Sequence, residues 1–112
     1  MPATKSAVVL ALTTETDEER AEALARTLLD QRLVACVSLR PVRALYRWQG
    51  QLEESLEVEL LLKTSPERLA ALEAAVRELH SYDTPEWLCW QAEASGPYAA
   101  WAWEATSSLS EP

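Results

Sequence analysis

Glycine occurs only twice in this sequence, at Gly50 and Gly96. A P-loop or a dinucleotide-binding turn needs two or three glycines at short spacing, so nucleotide binding through those motifs is excluded. Cysteine is as scarce. Cys36 and Cys89 lie far apart and offer no zinc-like spacing, and in a reducing compartment both are expected as free thiols. No long apolar run exists. AVVLAL, residues 7–12, follows a single lysine and is shorter than a secretory h-region or a membrane span, so a cytoplasmic protein without membrane contact is expected. Basic residues are outnumbered, 10 against 18, for a net charge of −8. That balance repels phosphate backbones and argues against nucleic acid as a partner. Histidine is present once, as His80 in ELHSYDTPEW.

What is present reads as one domain over residues 1–112, with an ordered core from about 6 to 106. AVVLALTT, residues 7–14, suits a central strand. Thr16 and Glu19 form a capping box for a helix whose apolar face is Ala21, Leu24, Ala25, Leu28 and Leu29. Residues 33–48 read as a strand interrupted at Pro41. Its apolar positions are odd before the proline (Ala35, Val37, Leu39) and even after it (Val42, Ala44, Tyr46, Trp48), which predicts a bulge or a change of buried face. Residues 52–64 alternate as a third strand.

Parity favours a three-residue Trp48-Gln49-Gly50 loop between these strands, with Tyr46 opposite Leu52 and Val42 opposite Leu56. A two-residue Gln49-Gly50 loop would set Tyr46 against Glu53 and Arg43 against Leu56. Ser65-Pro66 opens a second helix with a stripe of Leu69, Leu72, Val76 and Leu79, and His80 stands at its end. EWLCWQAE, residues 86–93, reads as a fourth strand. Ser95-Gly96-Pro97 opens a short third helix carrying Trp101 and Trp103.

The order β-α-β-β-α-β plus a helix predicts an α+β, ferredoxin-like sandwich with a long hairpin between strands 2 and 3. Strands 1 and 3 are expected as parallel neighbours, with strands 2 and 4 at the edges. Two helices cover one sheet face. The other face is expected bare and the second strand an open edge, faults that self-association removes.

The segments LTTETDEERAEALARTLLDQRLVACVSL, ALYRWQGQLEES, ELLLKTSPERLAALEAAVRELHSYDTPE and YAAW together resemble the CutA divalent-cation-tolerance proteins over roughly residues 8–105. The resemblance implies a ferredoxin-like homotrimer with sheet pairing between subunits, a link to copper tolerance, and binding of Cu2+ or another divalent cation. It implies no enzyme and no obligatory cofactor. Cys36 matches the L-x-A-C-V segment, and Tyr46, Trp48 and Gly50 match Y-x-W-x-G. Lys63 matches a strand-closing lysine, and Tyr98 and Trp101 match Y-x-x-W. His80, Tyr82, Pro85 and Glu86 match H-P-Y-x-x-P-E. Ser81 stands where that pattern has proline, and Trp87 where it has an aliphatic residue.

The candidate metal ligands are therefore His80, Cys36, Asp83 and Glu86. Beside two of them stands a plainer reading: His80 as a helix-terminal histidine and Cys36 as a small core residue. Tyr46, Trp48, Lys63, Tyr82, Tyr98 and Trp101 are candidates for an intersubunit cleft or interface. Arg40, Arg43 and Arg47 beside Tyr46 and Trp48 could suggest RNA stacking, but Arg43 and Arg47 are each expected beside a glutamate across the hairpin, which favours solvated cross-strand pairing. ELHSYDTPEW is expected chiefly as a structural link at the cleft rim, with His80 partly exposed. No nucleophile–base pair is apparent. The alternative function is a PII-like trimeric small-molecule sensor or scaffold without physiological metal binding. The acidic, glycine-free TTETDEE loop argues against a phosphate cradle there.

Overall fold

The computed structural model describes residues 7–107. Four strands and three helices follow in order: β1 (Ala7–Glu15), α1 (Glu18–Asp30), β2 (Cys36–Trp48), β3 (Gln51–Thr64), α2 (Leu69–Leu79, entered through a 3-10 turn at Pro66–Arg68), β4 (Leu88–Glu93) and α3 (Gly96–Ala105). The sheet order is β2-β3-β1-β4. β2 and β4 are the edges, as expected, but β1 and β3 run antiparallel rather than parallel. The connection through α1 returns β2 parallel to β1 with a gap between them. The hairpin then folds β3 back into that gap, so β3 is antiparallel to both neighbours.

The main core lies between the sheet and α1 with α2. Ala11, Val58, Leu60 and Leu62 pack against Leu24, Leu28, Leu72 and Val76, and Trp87 packs on the same cluster. Leu29 and Leu79, expected inside, are 41% and 44% exposed, because each lies at the margin of its helix's buried stripe. The opposite sheet face is not bare. α3 seats Ala99 and Ala102 on Val8, with Leu10 alongside. Trp103 reaches past them to donate its indole N–H to the Ala7 carbonyl, 2.9 Å away. The rest of that face remains open around Leu88 and Trp90.

Local chemistry sets the helix ends. The cap of α1 is Asp17 and not Thr16, since the Asp17 carboxylate accepts from the Arg20 N–H at 2.8 Å. The helix ends in a Schellman turn. Leu33 N–H reaches the Leu28 carbonyl, Arg32 N–H reaches Leu29, and Arg32 takes φ 57°. The Arg68 guanidinium then covers the Gln31 and Arg32 carbonyls, each at 3.3 Å. Ser65 precedes the second helix, but its hydroxyl accepts from Thr106 instead of capping.

The hairpin corrects two expectations. β2 runs through Pro41 without a bulge, in one unbroken register that sets Pro41 opposite Val58. An edge strand tolerates proline because the missing N–H points away from the only partner strand. The loop has two residues, Gln49 at φ 50° and Gly50 at φ 77°, so Tyr46 faces Glu53 and Arg43 faces Leu56. Two successive left-handed residues make a turn whose twist matches the strands. The parity argument assumed one buried face. The arm beyond the helices has none within this chain: Trp48, Leu52 and Leu56 are 59%, 72% and 76% exposed.

Candidate functional site

The sheet register sorts the candidates by position. Cys36, Lys63, Leu10 and Trp90 form one row across the sheet, on the face away from α1 and α2. Arg40, Glu59 and Thr14 form another row, four residues further along β1, about 13 Å away. His80 bonds at this second row, so Cys36 and His80 do not share a site.

His80 terminates α2, where its N–H still bonds the Val76 carbonyl. Its side chain is fully buried, contrary to the expected partial exposure. Nε2 meets the Thr14 carbonyl, and Nδ1 accepts the Tyr82 N–H at 3.0 Å. These partners assign the neutral tautomer with the proton on Nε2. Both ring nitrogens are occupied by backbone.

The link is held by a residue the sequence reading passed over. Glu15 closes β1 with its side chain buried, 2% exposed. Its carboxylate accepts from Thr16 N–H at 3.0 Å, and from both the N–H and the hydroxyl of Ser81 at 3.1 Å. A proline at position 81 would lack both of those Ser81 donors. His80 Nδ1 lies 3.7 Å from the same carboxylate, beyond hydrogen-bond reach. A signal for Glu15 existed: Val9, Ala11 and Thr13 share its parity on the buried side of β1. Beside Glu15 a cavity of about 190 Å³ opens between α1 and the end of α2, bordered by Arg20, Leu24, Thr27, Leu79 and Ser81.

Tyr82 carries the link to the hairpin arm. Its ring leans on His80, with centroids 5.0 Å apart, and its hydroxyl donates to Glu57 at 3.3 Å. Burial, and then the Glu57 charge, push the phenol up to about 12. Glu86 lies near Glu57 and Glu59. Partial desolvation, then these two charges, raise its carboxyl above the usual range. Asp83 is exposed. Arg40 pairs with Glu59, and Arg43 with Glu54 at 3.2 Å. On α3, Tyr98 and Trp101 lean together 5.5 Å apart, both exposed. Cys36 and Cys89 are free thiols, half-buried and exposed respectively.

Among the described residues, no three His, Cys, Asp or Glu side chains converge to hold a divalent ion. No helix among the described residues is long and apolar enough to cross a membrane.

Comparison with known proteins places this geometry. The family model described as CutA1 divalent ion tolerance protein matches residues 9–105. The divalent-cation tolerance protein CutA of Pyrococcus horikoshii is 44% identical over 78 residues, covering 70% of this chain and 76% of that protein. The solved structure of CutA from Synechococcus elongatus superposes with a TM-score of 0.87 at 35% identity, covering 91% of this chain and 92% of that one. The structure of the periplasmic divalent cation tolerance protein CutA from Archaeoglobus fulgidus superposes at 0.86 with 29% identity, covering 89% and 99%.

Proposed function

Because the chain belongs to the CutA1 divalent ion tolerance family, we propose that it serves divalent-cation tolerance as a cytoplasmic homotrimer that binds Cu2+ or another divalent cation without catalysing a reaction. The observation that carries the assembly is the amount of apolar side chain left in water. Trp48, Leu52 and Leu56 on the arm, Leu88 and Trp90 on the open face, and Tyr98 and Trp101 on α3 are all exposed. Apolar exposure on this scale marks an interface in a chain that is otherwise well packed. In the proposed trimer these residues, with Tyr46, Lys63 and Tyr82, line the contacts and the clefts between copies.

The cation follows from the assembly. One chain lacks a converging set of three donors among its described residues, so the proposed site draws on more than one copy. Asp83 and Glu86 are its contributors, because their carboxylates are exposed. Cys36, half-buried in its own row, is a separate soft donor for copper. His80 takes the structural role, since ligating an ion would cost its bonds to Thr14 and Tyr82. The test is equilibrium dialysis against Cu(II) and Zn(II), paired with light scattering. A homotrimer that binds cation, and binds less of it after Asp83→Asn with Glu86→Gln, supports the reading. A monomer at micromolar concentration, or a trimer that takes up no cation, overturns it.

A further inference from the structure

We propose that Glu15 is a positioning residue for the 80–82 link: its buried carboxylate anchors Ser81, and through Ser81 it sets the imidazole of His80 on Thr14 and the phenol of Tyr82 on Glu57. The role belongs to the chain's own link and does not depend on assembly or on a cation.

An ionised carboxylate removed from water carries a large desolvation cost unless donors surround it. Glu15 has three, and two of them belong to Ser81. Burial of the charge and placement of the link are therefore one event: neither is stable without the other. Thr14, the neighbour of Glu15, receives His80 on its carbonyl. Two consecutive residues at the end of β1 thus grip two consecutive residues of the link. The link has little else to hold it there. Ser81, Asp83 and Thr84 are exposed, and Leu79 before them is 44% exposed. From this anchorage Tyr82 is delivered to Glu57 on β3, beside Ser55, whose hydroxyl donates to the same carboxylate oxygen. Glu15 so connects the covered end of the sheet to the base of the uncovered arm.

The single histidine makes the test direct, because its ring signals in nitrogen-15 spectra need no assignment. In the parent chain His80 should show one tautomer, protonated at Nε2. In Glu15→Ala the two nitrogen shifts should move toward each other as the ring loses its fixed partners. Amide exchange at Ser81 and Tyr82 should accelerate about tenfold or more relative to Leu60 and Leu62 in the core. That ratio separates positioning from plain destabilisation, which would speed all four amides together. Glu15→Gln keeps an acceptor for Ser81 and should restore most of the protection. Should Glu15→Ala fail to fold, Ser81→Ala decides: loss of the hydroxyl should still raise the Tyr82-to-core exchange ratio several-fold. An unchanged ratio and an unchanged tautomer, in whichever of the two variants is read, overturn the proposal.

Discussion

Thr13 lies fully buried on the helix-facing side of β1, and its hydroxyl has no hydrogen-bond partner. Valine has nearly the same shape and nothing to desolvate. Thr13→Val should therefore stabilise the chain by about 1–2 kcal/mol, read as a higher denaturant midpoint at unchanged slope. A loss of stability would mean that the hydroxyl serves a group bound in solution. Glu86 gives a residue-scale prediction with a sign. Its carboxyl holds a proton more tightly in the folded chain than when unfolded, through partial desolvation and the nearby Glu59 and Glu57. Such a group costs stability where it is charged in both states, and the cost disappears once pH falls below its unfolded value. Glu86→Gln should raise the urea midpoint at pH 7 and leave it nearly unchanged at about pH 3.5, below the ordinary glutamate range. An equal gain at both pH values would assign the effect to something other than charge. Residue type was a poor guide at this scale. His80 was expected partly exposed because the polar SYDT follows it, yet the Thr14 carbonyl from β1 and the Tyr82 N–H two residues on occupy its ring nitrogens, and its side chain is buried. Glu15 looked like loop because it is acidic, yet its parity on β1 put it inside.

At the scale of elements the order and type of every strand and helix were legible, because periodicity records which face is buried. β1, α1, α2 and α3 each pack an apolar stripe. The hairpin register was not legible for the same reason. Its arm is exposed on both faces in one chain, so no burial selects between a two- and a three-residue loop, and turn conformation decides. Gln49 occupies the first left-handed position of that turn, where asparagine is favoured. Gln49→Asn should stabilise the hairpin by about 0.5–1 kcal/mol without changing the register. Thermal unfolding measures the gain, and nuclear Overhauser contacts between Trp48 and Gln51 check the register. A longer loop in solution would replace those contacts with Arg47–Gln51 contacts and show no gain.

The described residues form an elongated body, 46 × 28 × 21 Å, because the hairpin arm extends past the helix layer. An arm bearing Leu45, Trp48, Leu52 and Leu56 in water is a poor design for a solitary chain and a reasonable one for a subunit. The two cases separate on Trp48→Ala. Trp48 is 59% exposed here, so its removal takes little packing from the chain itself. In an assembly that covers the ring, the same substitution should cost roughly 3 kcal/mol or more at each contact. The expected result is a variant whose circular dichroism matches the parent but whose mass, by light scattering on dilution, falls toward that of one chain. Charge supplies a second dependence. Each copy carries a net −8, so assembly concentrates negative charge and salt should screen the repulsion. The weakened variant should therefore dissociate at higher protein concentration in low salt than in physiological salt. A variant that keeps the parent mass across the whole dilution series, at both ionic strengths, would remove Trp48 from the interface and leave the open face around Leu88 and Trp90 to carry assembly.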